Sequence, residues 1–142
     1  NQKAKAENLV QFHTAHKFLL LAHSRKHYQI LGKIVAEVKN NPWNRVLSSY
    51  IFSFMEALTL KSTTKKNTDV LLHMIGFLKK MLTKSEKEDI LAAIEDYRNE
   101  LIPLIVPATL VRHQVKKHKI EYLMNQIYLN PHPKELMLRN HV

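Results

Sequence analysis

Glycine occurs only twice in the 142-residue sequence, at Gly32 and Gly76. Tight hairpin turns rely on glycine to reach positive φ. A sheet-rich fold would therefore lack the residues to turn its chain. Apolar residues make up 45% of the sequence, enough for a core in one domain of ordinary size. The sequence predicts an all-α fold, a compact bundle of about six to seven helices, with residues 1–142 forming a single domain.

Helical spacing of apolar residues places the elements. A first helix over residues 3–23 carries Leu9, Phe12, His16, Leu19 and Leu20 on its apolar stripe. Ser24 breaks it and caps a second helix, which turns Tyr28, Leu31, Val35 and Val38 inward. Asn40-Asn41-Pro42 is a turn, and a third helix starts near Trp43 with Val46, Leu47, Tyr50, Ile51, Phe54 and Leu58 along one wide stripe. Residues 61–68 are polar and basic and read as a loop. A fourth helix puts Val70, Leu71, Met74, Phe77, Leu78 and Met81 inward. Thr83 with Glu86 reads as a capping box that opens a fifth helix through Ile90, Leu91, Ile94 and Tyr97. Pro103 and Pro107 bar a regular helix between them, which predicts a buried, extended crossing. A sixth helix follows with Leu110, Val111 and Val115 inward, then a short helix over residues 121–127 and a turn after Pro133.

Charge narrows the function. The formal net charge is +10 and unevenly spread. Residues 1–85 carry 14 Lys or Arg against 4 Asp or Glu, residues 86–100 carry 2 against 6, and residues 101–142 carry 6 against 2. One short acidic segment thus interrupts a basic chain. A folded domain with this excess attracts polyanions, and RNA is the partner the charge favours. The densest basic run is Arg112, His113, Lys116, Lys117, His118 and Lys119, in which Arg112, Lys116 and Lys119 share one helical side suited to a row of phosphates. A run of this kind also occurs as a plain solvated face. Lys61, Lys65 and Lys66 form a second patch, and Tyr28, Tyr122 and Tyr128 are candidates for base stacking or for the core.

Other chemistry is narrowed by what is missing. With no cysteine, this chain builds no thiolate zinc site, no cysteine nucleophile and no cysteine-held iron–sulfur cluster, and it suits a reducing cytoplasm. No apolar run reaches the length of a membrane span, and the N-terminus shows no signal-peptide pattern. The chain does not begin with Met and reads as a piece of a longer or processed protein. No glycine loop cradles phosphate, and neither a metal nor a cofactor is assigned. Imidazoles recur on polar stripes: His13 beside Lys17, His16 seven before His23, and His73 four after Asp69, which is four after Lys65. An unpartnered imidazole inside an apolar helix is costly, so His13 and His73 are expected on facing helices, sharing a site. Imidazole and carboxylate are legitimate zinc ligands, yet His-x-x-His alone lacks the glutamate of a metalloprotease helix. Gly76 leaves room beside His73, either for a packed helix or for a ligand.

Several segments resemble the YbgA-like domain family. They are the stretch from Phe12 through His13, Lys17 and His23 to Ser24, with Tyr28 and Leu31-Gly32; the run from Asp69 through His73 and Gly76 to Lys79; Ile94 to Arg98, Val106-Pro107 and Arg112-His113; and the ending from Tyr128 through Asn130, Pro131, Pro133 and Arg139 to Val142. The resemblance covers nearly the whole chain from Leu9 onward. The chain departs from the family pattern at Asp69, where Asn is common, at Phe77, where Tyr is common, and at Glu100, where Gly is expected. Members occur alone or fused behind a thiouracil-desulfidase-type domain with cysteine-held iron–sulfur chemistry. The resemblance implies that a domain of this kind binds RNA, tRNA first of all, while the partner domain performs thionucleoside desulfidation. On this reading Lys17, Lys65, Arg98, Arg112, Lys116 and Arg139 contact phosphate, and His13, His23, Asp69, His73 and His113 orient the ligand. A stand-alone enzyme built on the His, Asp and Lys set, with or without a metal, is the alternative, and a protein-docking domain is a third reading.

Overall fold

Side-chain caps set the start of four helices, where Asn1, Ser24, Thr63 and Thr83 each accept a backbone N–H of the first turn. In the computed structural model, which describes residues 1–131, the chain divides into two units, Asn1–Lys61 and the segment from Ser62 onward. Arg139 and the turn expected after Pro133 lie outside the described residues. All regular structure among the described residues is helical. It comprises eight α-helices and two 3-10 turns, one α-helix more than the upper count the sequence predicts because one expected helix is split.

The first unit contains α1 (Gln2–Ala15), α2 (Lys17–His23), α3 (Arg25–Ala36), a 3-10 turn at Val38–Asn40 and α4 (Trp43–Thr59). The expected single helix over residues 3–23 is broken at His16. There the imidazole donates from Nδ1 to the Phe12 carbonyl at 2.7 Å, the same carbonyl that accepts the His16 backbone N–H at 3.1 Å. A side chain competing for the i−4 carbonyl bends a helix. The break changes which residues of this stretch face inward: His13 is buried, whereas Phe12 is 41% exposed. Ser24 caps α3 as expected, accepting the His27 N–H at 3.1 Å. Leu9, Leu20, Leu31, Val38, Val46, Tyr50 and Ala57 form the core, edged by Tyr28, Val35, Trp43 and Phe54. Helix α4 buries Val46 and Tyr50 of its wide stripe but leaves Ile51 more than half exposed, as are Phe52 and Met55, which lie outside the stripe.

The second unit contains α5 (Thr64–Leu78), α6 (Lys84–Arg98), α7 (Ile105–Lys117), α8 (Glu121–Met124) and a 3-10 turn at Ile127–Leu129. Helices α5, α6 and α7 pack against one another pairwise. Helix α5 starts inside the segment that reads as a loop, because Thr63 accepts the Lys66 N–H at 3.1 Å. The polar side chains there serve the helix: Asn67 donates to the Thr63 carbonyl at 3.0 Å and Thr68 to the Thr64 carbonyl at 2.8 Å. Val70, Leu71, Met74 and Leu78 are buried as expected, but Phe77 and Met81 are at least 40% exposed. The capping box at Thr83 and Glu86 forms in full.

Helices α6 and α7 end alike. Beyond α6, Glu100 takes φ 62 while the Leu101 N–H bonds the Asp96 carbonyl and the Glu100 N–H the Tyr97 carbonyl. Beyond α7, Lys119 takes φ 52 with the Ile120 N–H on Val115 and the Lys119 N–H on Lys116. Both are Schellman ends, which normally place glycine at the left-handed residue. The proline-rich connection is shorter and less buried than expected. Leu101 is 71% exposed, and α7 already begins at Ile105. Pro107 falls in the first turn of α7, where its missing N–H would have had no intrahelical acceptor.

Candidate functional site

The basic run on α7 is sorted by its neighbour α6. Glu86 accepts from the Thr83 N–H at 2.9 Å through one carboxylate oxygen. Its other oxygen accepts from Gln114 Nε2 at 2.9 Å and from Lys117 Nζ at 3.2 Å. These bonds, the Thr83 backbone first, then Gln114 and Lys117, hold the Glu86 carboxyl down at about 2. Lys117 is therefore engaged in joining α6 to α7. Arg112 and Lys116 are exposed one turn apart on α7, and no carboxylate among the described residues lies within ion-pair distance of either. His113 is exposed beside them.

Arg112 is held in place. Its Nε donates to Asn130 Oδ1 at 3.2 Å. Asn130 is itself fixed by donating Nδ2 to the Met124 and Gln126 carbonyls at 2.8 and 3.0 Å. Among the described residues no acceptor is bonded to its terminal guanidinium nitrogens, which form a fork suited to an anion. Beside this fork lies a cavity of about 170 Å³, walled by Leu104, Ile105, Ala108 and Thr109 from the start of α7 and by Tyr128, Leu129 and Pro131 from the chain that follows α8.

Elsewhere in the second unit, Lys65, Asp69 and His73 follow one another at helical spacing on α5, all exposed. His73 stacks on Phe77 with ring centroids 5.8 Å apart, and Phe77 meets Tyr122 of α8 at 5.4 Å. These three rings are a second candidate for base stacking. Tyr128 belongs to the core at 1% exposure, its hydroxyl donating to Asn67 Oδ1 at 2.7 Å. At Gly76 no helix packs closely among the described residues, since a Cβ there would meet nothing within 4 Å. Arg98 sits 3.6 Å from Glu95, with both side chains more than half exposed. A pair of this kind is worth about 0–1 kcal/mol and leaves Arg98 available to a phosphate.

In the first unit, His13 finds its partner in Tyr50, whose hydroxyl lies 3.0 Å from Nδ1, and it stacks on Tyr28 at 4.9 Å. Burial lowers the His13 pKa, with a smaller contribution from His16. Burial likewise raises the Tyr50 pKa, with Tyr28 adding to it. A neutral imidazole joined to a neutral phenol is a core hydrogen bond, with His73 located in the other unit. His23 donates from Nδ1 to the Leu60 carbonyl at 2.6 Å, satisfying a backbone group at the end of α4. Lys17 Nζ lies over the Phe18 ring, 5.4 Å from its centroid. Sequence reasoning missed one constellation here. His27 Nε2 donates to Glu56 Oε1 at 2.6 Å, and in the neutral ring Nδ1 then accepts the Ser24 hydroxyl at 2.8 Å. The Ser24 oxygen also accepts the His27 N–H, so the three residues tie the start of α3 to α4. The Ser24 cap was legible, but Glu56 is 29 positions from His27 and no local pattern joins them. Among the described residues no three His, Asp or Glu gather as a metal-binding group.

The family model described as "Protein of unknown function (DUF1722)" matches residues 17–133. The chain belongs to this family. It is also 26% identical over 135 residues to the Escherichia coli (strain K12) protein named "Uncharacterized protein YbgA", covering 93% of this chain and 79% of that one. No solved structure matches. The DUF1722 match contains the Arg112–Asn130 clamp, the cavity beside it and the α5 ring stack. It begins after His13 and His16, although their aromatic partners Tyr28, Tyr50 and Phe54 fall within it.

Proposed function

We propose that this protein binds RNA, tRNA being the first candidate, and that it serves thionucleoside desulfidation carried out by a thiouracil-desulfidase-type partner domain. The observation that carries the proposal is the division of labour on α7. Glu86 draws Lys117 into the α6–α7 packing, while Arg112 and Lys116 remain outward and Arg112 is clamped by Asn130. A guanidinium held by its Nε loses little freedom on meeting a phosphate, so more of the contact energy appears as affinity. The net charge of +10 supplies the long-range attraction. The chemistry is assigned to the partner because this chain holds no cysteine for an iron–sulfur cluster.

The test is a titration of labelled tRNA into the protein and into the Arg112→Ala/Lys116→Ala variant across a salt series. Each phosphate neutralised on a single strand contributes about −0.7 to the slope of log K against log salt. The double variant should bind more weakly and lose about 1.4 from the slope if each side chain meets one phosphate. Helix content should stay unchanged, because both side chains are exposed. A protein that binds no tRNA even at low salt defeats the proposal, and an unchanged slope moves the interface away from α7.

A second reading, protein docking, is favoured by α4. Ile51, Phe52 and Met55 are 52%, 68% and 57% exposed on neighbouring positions of one helix. Contiguous apolar surface of this kind marks interaction sites. Phe52→Asp should then abolish a complex with a purified desulfidase-type domain and leave tRNA binding alone. Complex formation that is indifferent to this change removes α4 from consideration.

A further inference from the structure

We infer that the cavity beside Arg112 is a subsite for one unstacked pyrimidine nucleotide, its base in the cavity and its phosphate on the Arg112 guanidinium. The inference rests on the RNA-binding reading and names the ligand of the same surface.

Size is the first argument. The cavity measures about 170 Å³. An apolar protein cavity of about 150 Å³ is known to accept a benzene-sized ring, so this one admits a single six-membered ring and is tight for a fused pair. Its shape is also maintained. Tyr128, on its wall, is anchored through its hydroxyl to Asn67, so the ring cannot swing aside and fill the space.

Chemistry is the second argument. The walls are mainly apolar, with Leu104, Ala108 and Leu129 among them, and suit the faces of an unstacked base. The polar groups are few and lie together: the Thr109 hydroxyl, the Asn130 amide and the clamped Arg112. An apolar slot beside one fixed guanidinium selects a flat ring that carries an anion. Lys116 continues the cationic row one turn further along α7, which favours a nucleotide within a strand over an isolated aromatic acid.

The test uses the whole chain and follows backbone amide and arginine Nε resonances by NMR. Uridine 5′-monophosphate should shift residues 104–112 and 128–130 together with Arg112 Nε. Ribose 5-phosphate should shift Arg112 Nε but bind about tenfold or more weakly, the scale of one base's stacking contribution. Adenosine 5′-monophosphate should bind more weakly than the uridine nucleotide. Ala108→Leu should fill the cavity and abolish the base-dependent part, and Thr109→Trp, placed at an exposed position, should do the same if Ala108→Leu unfolds the protein. tRNA binding should weaken by about the same base-dependent factor with either change, while its salt slope, which the phosphate contacts set, stays intact. If ribose 5-phosphate binds as well as the uridine nucleotide, or the adenosine nucleotide binds equally well, the inference is overturned. tRNA binding without any nucleotide-induced shift also overturns it and leaves the RNA reading standing. Nucleotide shifts in the cavity without tRNA binding support the subsite and remove the RNA reading.

Discussion

Replacing Glu100 by Gly should stabilise the second unit. Glu100 holds φ 62 immediately after α6, and its backbone closes the helix through the Leu101–Asp96 and Glu100–Tyr97 bonds. Those bonds require the left-handed region, where a Cβ crowds the following carbonyl at a cost of roughly 1–2 kcal/mol. Glycine escapes this clash but has more freedom to lose on folding, roughly 0.5–1 kcal/mol relative to alanine. The difference leaves a net gain of about 0.5–1 kcal/mol. For a chain of this length it should raise Tm by about 3 °C. Removing a carboxylate from the negative end of the α6 dipole acts in the same direction, so charge and backbone must be separated. Glu100→Ala removes the charge and keeps the Cβ, and should therefore give much less than Glu100→Gly. Thermal and urea melts followed by circular dichroism measure both, with the urea m-value expected to stay constant. If Ala and Gly stabilise equally, or Gly destabilises, the strain argument is wrong.

Gly76→Ala should raise stability by about 1 kcal/mol, since Gly76 lies inside α5 and the added methyl meets nothing within 4 Å. A loss in the same melts would mean that the α5 surface at Gly76 is not open. Glu86 sets an acid limb. Its folded pKa is depressed to about 2 from the ordinary 4.5, so its contribution is present above 4.5 and lost as pH falls through the folded value. Glu86→Gln should lower stability at neutral pH and flatten the curve below about 4.5. Two parallel pH–stability curves would refute the role given to the Thr83, Gln114 and Lys117 bonds.

Local signals were legible wherever a few neighbouring residues complete a structure by themselves. The Ser24 cap and the Thr83–Glu86 box each close within three positions. The helical class follows from scarce glycine and regular apolar spacing. The left-handed ends at Glu100 and Lys119 carry no glycine to announce them. The start of α5 was hidden for a related reason: Thr63, Asn67 and Thr68 are loop formers by composition, and here they bond the first turn of a helix.

By itself the sequence determined an all-helical chain, most of its helix starts, a strong basic excess and membership of a recognisable family. Tertiary structure alone decided which of those residues do what. Periodicity shows which side chains share a face but not which face finds a partner. Thus His13 meets Tyr50, 37 positions away, while Phe77 and Met81 share the spacing of buried neighbours and stay exposed. Lys116 and Lys117 are adjacent and identical in chemistry. Only the packing of α6 on α7 brings Glu86 to one of them, 31 positions away, and leaves the other facing outward beside a guanidinium that Asn130 holds in place.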